Sequence, residues 1–223
     1  MAKFTRIEVI QKFYYTPLVP IFYNKDLELC KNIISACYEG GVRIFEFTNR
    51  GDFAHEVYSE LQKFTHDNFP ELALGVGSVF DSGTASLYIQ LGANFIVSPI
   101  LNREIAFTCN RRKVLWTPGC GTISEISEAE SLGAEIVKIF PGAAVGGPNF
   151  IKAIKGPSPW TSIMPTGGVT PDKDNLKSWF HAGASVVGMG SKLITKEIIN
   201  SANFNILTKK VKEVLKIINE LKK

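Results

Sequence analysis

Four apolar runs, GVRIFEFT from Gly41, GANFIVSP from Gly92, GAEIVKIFP from Gly133 and GASVVGMG from Gly183, each open on a glycine and follow a stretch whose apolar residues recur at helical spacing. Glycine tolerates the left-handed conformation that ends many helices, so these four mark helix ends that lead straight into strands. About forty to fifty residues separate successive glycines, room for two β-α units. A second run fits inside each interval: ALGVGSV from Ala73, VLWTPGC from Val114 and SIMPTGGV from Ser162, with LVPIFY from Leu18 ahead of them all.

The pattern predicts strands over 17–23, 43–48, 73–79, 95–99, 114–120, 135–141, 162–168 and 185–190, with helices between them. Regular β-α alternation at this length favours an α/β fold of the closed, parallel (β/α)₈ TIM-barrel type in one domain, 1–223. An open doubly wound sheet usually carries a glycine-rich fingerprint after its first strand. Here that strand runs into Tyr23, Asn24, Lys25 and Asp26. Phe4, Ile7, Ile10 and Phe13 predict an extra N-terminal helix within 1–15 that caps the barrel. Leu207, Val211, Val214, Leu215, Ile218 and Leu221 form the apolar stripe of a C-terminal amphipathic helix over 204–223.

With 45% hydrophobic and 21% charged residues, the composition is that of an ordinary globular chain. Lys3, Arg6, Glu8 and Lys12 interrupt any signal-peptide core, and no apolar run reaches the roughly 18 residues of a membrane span, so a cytoplasmic location is expected. Cys30, Cys37, Cys109 and Cys120 lie far apart and suggest neither a zinc site nor a disulfide framework. The formal charge of +4 is dispersed except in the lysine-rich tail, which reads as the solvated face of a helix and not as a nucleic-acid surface.

Strands of a parallel barrel are buried on both faces, so a charge inside one needs a reason. Lys138 stands among Ile136, Val137, Ile139 and Phe140. Burial lowers a lysine pKa and yields the neutral amine that attacks a ketone; a structural ion pair is the competing explanation. Glu46, between Phe45 and Phe47, suits a proton shuttle or a plain counterion to Lys138. Arg50, at the end of the same strand, can grip a carboxylate through two parallel hydrogen bonds, or serve as a surface arginine. The three histidines, His55, His66 and His181, fall in predicted helices away from strand ends.

Strand seven ends in PTGGVTP and strand eight in GMGSK. The loops after these strands commonly hold phosphate in barrels, because glycine lets backbone N–H groups approach an anion closely. Thr166, Gly167, Gly168, Gly190 and Ser191 are the candidate ligands, with Lys192 either adding charge or facing solvent.

Taken in order, GGVRxxExTxR, GxGSV, FIVSP, PGxxT, KxFPG, PTGG and GxGS, spread from about Pro17 to Leu193, resemble the 2-keto-3-deoxy-6-phosphogluconate (KDPG) and 4-hydroxy-2-oxoglutarate (KHG) aldolase family. The resemblance implies a class I aldolase that needs no cofactor and no metal. Lys138 would form a Schiff base with the substrate, Glu46 would be the general acid/base, and Arg50, Ser78, Pro99 and Thr122 would line the pocket for the pyruvyl group. The products would be pyruvate and glyceraldehyde 3-phosphate, or pyruvate and glyoxylate from 4-hydroxy-2-oxoglutarate, and the assembly a homotrimer. There are departures: Phe22, Tyr23 and Asn24 stand where many members carry an arginine, Ser78 replaces a commoner threonine and keeps the hydroxyl, and Ala143 and Ala144 offer no carboxylate after KIFPG, which leaves the chemistry alone but opens the distal substrate contacts. The phosphogalactonate isomer therefore remains an alternative substrate. So do a phosphate-binding isomerase or lyase with Lys138 as a mere counterion to Glu46, and a metabolite-binding barrel without catalysis.

Overall fold

In the computed structural model, residues 2–222 are described. Met1 and Lys223, the outer limits of the expected domain and its end helices, lie outside the described residues. In chain order the elements are α1 (Arg6–Tyr15), β1 (Leu18–Phe22), α2 (Leu27–Glu39), β2 (Ile44–Thr48), α3 (Ala54–Asn68), β3 (Ala73–Gly77), α4 (Ser82–Gln90) and β4 (Phe95–Val97). They continue with α5 (Arg103–Arg112), β5 (Leu115–Thr117), β6 (Gly119–Cys120), α6 (Ile123–Ser131), β7 (Val137–Ile139), α7 (Gly147–Lys155), β8 (Ile163–Pro165), α8 (Lys173–His181), β9 (Val187–Met189), α9 (Lys196–Ser201) and α10 (Phe204–Leu221).

The helices start where side chains satisfy orphaned backbone N–H groups: Asp26, Asp81, Asn102 and Asp172 cap α2, α4, α5 and α8. Helices α2, α4, α6 and α8 hand over to the next strand through Gly41, Gly92, Gly133 and Gly183, whose φ values of +107°, +97°, +85° and +107° are those the sequence pattern requires.

The strands form a curled parallel α/β arrangement in two pieces, one ordered β5-β4-β3-β2-β1-β9 and the other β6-β7-β8. Chain continuity from β5 to β6 joins them on one side, and an isolated parallel bridge between Thr166 and Gly188 on the other. The strand expected over 114–120 is thus divided at Pro118, which has no N–H to give to a ladder.

Successive strand residues face opposite ways. Phe45, Phe47, Leu74, Val76, Ile96, Trp116, Val137, Ile139 and Ile163 pack outward against the helices. Val19, Ile44, Ala73, Phe95, Leu115, Ile136, Met164 and Val186 pack against one another on the inside of the curl. Helix α1 contributes Val9 and Phe13 to this inner cluster, with the Phe13 ring edge-on to Phe95 at 5.1 Å. At the other end of the chain, α10 buries Leu207, Val211, Val214, Leu215 and Ile218 against α2 and α8.

Candidate active site

Two residues beyond Ile44, Ile136 and Met164, on the same inward face, stand Glu46, Lys138 and Thr166. Above an apolar floor, the inside of the curl therefore turns polar. Lys138 is 5% exposed and Glu46 1%. Burial pushes the Lys138 ammonium below its ordinary value, partly opposed by the Glu46 charge, and Arg50 pushes in the same downward direction. Burial raises the Glu46 carboxyl, against the opposing pull of Lys138 and Arg50. Both shifts favour the neutral forms.

The carboxylate and the amine are not in contact. Among the described residues no ion pair within 4.0 Å joins them, and Glu46 Oε2 is buried with no hydrogen-bond partner. A plain counterion would close that gap, because a buried charge is stabilised only by close, well-aligned partners. Gly77 makes the room for Glu46: a Cβ there would overlap Oε1 and sit 2.5 Å from Cδ. The Lys138 Nζ lies 4.9 Å from the centroid of the Phe140 ring.

Phe140 is also part of the wall of an open cavity of about 390 Å³, together with Tyr23, Thr48, Arg50, Thr166, Gly167, Gly168, Gly190, Ser191 and Lys192. The expected anion-binding residues thus share one space with Arg50, and Glu46 and Lys138 lie buried beneath it. Gly167 and Gly168 adopt φ of +93° and +87°, and a Cβ on Gly168 would overlap that of Ala143. Non-glycine residues are strained in that conformation, so the loop's backbone shape depends on these two positions. A larger hollow of about 540 Å³ lies near Lys3, Gln62 and His66, but it holds no buried ionisable group.

Arg50 lies just past β2 and not within it; its Nε donates to Ser78 Oγ at 3.3 Å, so two residues far apart in the chain meet at the cavity rim. Ser78 has a φ of +59°, strained for a serine. Pro99 is half-buried after β4, and its carbonyl leaves no space for a Cβ on Gly119, the residue paired with Lys138. Thr122 is differently occupied. It caps α6, with its Oγ1 accepting from Glu125 N at 3.2 Å and donating to Glu125 Oε2 at 2.9 Å.

Residues absent from the expected set are Tyr23 and Phe140 in the cavity wall, Gly77 behind Glu46, and Thr117, an inward-facing residue on β5 with no exposure. Among the described residues, no cluster of three or more His, Cys, Asp or Glu side chains is arranged to hold a metal, and no helix is long and apolar enough to cross a membrane.

The chain is similar to several known proteins. The 2-dehydro-3-deoxy-phosphogluconate aldolase of Haemophilus influenzae is 29% identical over 215 residues, spanning 96% of this chain and 99% of that protein. An Escherichia coli 2-dehydro-3-deoxy-6-phosphogalactonate aldolase is 35% identical, but over only 54% of this chain and 58% of its own length. The crystal structure of KDPG aldolase from Legionella pneumophila, with pyruvate captured as a covalent carbinolamine intermediate, superposes with a TM-score of 0.81 at 28% identity over 91% of this chain and 96% of that one. A family model described as KDPG and KHG aldolase matches residues 9–210, nearly the whole chain. This chain therefore belongs to the KDPG and KHG aldolase family.

Proposed function

We propose that the protein is a class I aldolase that cleaves 2-dehydro-3-deoxy-6-phosphogluconate to pyruvate and glyceraldehyde 3-phosphate, with 4-hydroxy-2-oxoglutarate as a second substrate. The observation that carries this reading is the buried Lys138 amine, held near a carboxylate yet out of contact with it, beneath a cavity walled by Arg50 and two glycine-rich loops. The neutral Lys138 amine attacks the C2 ketone to give a carbinolamine, which loses water to form a protonated imine. Glu46, as carboxylate, takes the proton from the C4 hydroxyl. The C3–C4 bond then breaks, its electrons pass into the iminium, and glyceraldehyde 3-phosphate leaves behind an enamine. Glu46 returns the proton to C3, and hydrolysis frees pyruvate and the amine.

Arg50 holds the keto-acid carboxylate beside Ser78 and Pro99. Backbone donors at Gly167, Gly168, Gly190 and Ser191, with Thr166, hold the phosphate. Thr122 enters the proposal only as the cap of the helix that follows β6. The fold is read as a single domain whose two sheet pieces close into one (β/α)₈ barrel, which the unbroken chain through Pro118 and the Thr166–Gly188 bridge support. Within it, α1 covers one end and α10 packs on the outside. Exposed Phe80, Leu87 and Phe107, on or beside α4 and α5, offer an apolar surface for a homotrimer. A cytoplasmic location completes the reading. The phosphogalactonate isomer is a second candidate substrate, on the strength of the shorter match to the Escherichia coli enzyme.

Borohydride with pyruvate tests the chemistry. Hydride reduces the imine to a stable secondary amine, so activity should be lost irreversibly and the added mass should map to the peptide containing Lys138. Full activity after this treatment, or in Lys138→Ala, would falsify the mechanism.

A further inference from the structure

Thr117 is fully buried, and among the described residues its Oγ1 has no hydrogen-bond partner. Two positions along the inward face from Leu115, it points into the same interior as Glu46 and Lys138. Strand register places it more closely. Glu46 pairs with Gly75 and Phe95 with Leu115, so these residues share one level of the interior; the next level holds Thr48, Gly77, Val97 and Thr117. The Glu46 carboxylate rises into the space that a Cβ on Gly77 would fill, so it reaches the level of Thr117. On the other side, Thr117 stands next to Pro118, whose carbonyl accepts from Lys138 N at 2.8 Å.

Three buried polar side-chain atoms without partners among the described residues, Glu46 Oε2, Thr117 Oγ1 and Thr166 Oγ1, therefore belong to residues on the inner face that also carries Lys138. An isolated buried hydroxyl is destabilising, and valine has the same shape without that cost. A hydroxyl in this place calls for a partner of its own.

We propose that Thr117 is a positioning residue for the acid/base carboxylate, anchoring a water molecule that also bonds Glu46 Oε2 and relays protons between Glu46 and the carbinolamine. This inference rests on the aldolase reading above. When the carbinolamine hydroxyl leaves, Glu46 in its acid form gives a proton to the bridging water. That water passes one of its own protons to the departing oxygen, the C–O bond breaks, and the carboxylate remains. Thr117 keeps its proton throughout.

The test compares Thr117→Val and Thr117→Ser with wild type in two assays: steady-state cleavage of the phosphogluconate substrate, and deuterium exchange into the methyl group of pyruvate followed by NMR. For Thr117→Val, kcat and the exchange rate should each fall about tenfold or more while KM stays within about threefold, and Thr117→Ser should recover most of both. The melting temperature of Thr117→Val should be unchanged or higher. Thr117→Val with wild-type kcat and exchange overturns the proposal, as does Thr117→Ser impaired as deeply as Thr117→Val. Should valine prevent folding, Thr117→Ala replaces it under the same criteria. Wild-type protein that borohydride fails to trap with pyruvate overturns the aldolase reading and this inference with it, whereas normal trapping beside a silent Thr117→Val overturns this inference alone.

Discussion

Adding one methyl group behind Glu46 separates catalytic geometry from packing. In Gly77→Ala the new Cβ would overlap Oε1 and lie 2.5 Å from Cδ and 2.9 Å from Cγ of Glu46, where ordinary contact begins near 3.4 Å. The carboxylate must therefore retreat by about 1 Å, a displacement that can cost on the order of 100-fold in rate when the group acts on reacting atoms. Gly75→Ala is the matched control. It lies on the same strand, neither glycine has a left-handed backbone, and its Cβ would meet the Phe95 ring at 2.5 Å. Each substitution overpacks the interior by about 1–3 kcal/mol. Melting temperatures should thus fall by comparable amounts, roughly 2–4 °C per kcal/mol at this chain length. Turnover should not: kcat of Gly77→Ala should drop about 100-fold while that of folded Gly75→Ala stays near wild type. Equal kcat for the two variants would refute the claim that Gly77 exists to seat the carboxylate.

Two further expectations concern charge. Glu46 has a folded-state pKa above its ordinary value, so the folded protein binds the proton more tightly than the unfolded chain does. Its favourable contribution is then complete below about pH 4.5 and is lost as pH rises through the folded value. Glu46→Gln should gain melting temperature relative to wild type as pH increases from that point, and a difference that stays constant with pH would count against a buried, upshifted carboxyl. Among the described residues Arg50 engages only its Nε, with Ser78, which leaves the terminal nitrogens of the fork for a carboxylate. Arg50→Lys should raise KM for the keto acid by about 10- to 100-fold, the worth of one charge-assisted hydrogen bond, with a smaller change in kcat; an unaltered KM would remove Arg50 from the substrate site.

Much of this arrangement can be read from the chain. Lys138 and Glu46 stand out because ionisable groups interrupt runs that are otherwise apolar, and the four post-helical glycines mark where β2, β4, β7 and β9 begin. Thr117 obeys the same rule, an inward polar residue on a buried strand, yet threonine is a favoured strand former and raises no alarm there. Thr122 carries a second local signal besides the expected one: a threonine followed three residues later by Glu125 at the start of a helix is a capping pattern. The service Gly77 performs for Glu46 depends on strand pairing, and the break at Pro118 on which neighbour each half-strand bonds. Tyr23 and Phe140 join the cavity wall from loops whose paths are set by the assembled fold, so no local pattern announces them.

The amine and the carboxylate belong to different pieces of sheet, Lys138 to the three-stranded one and Glu46 to the six-stranded one. Their spacing is consequently not a property of either strand but of how the two halves are hinged, at a proline on one side and a lone backbone bridge on the other. A change at Gly188, remote from both groups along the chain, would then retune the gap across which a proton must travel, whereas one at Pro118 would also reach Lys138 through the backbone bond that the proline carbonyl accepts from Lys138 N.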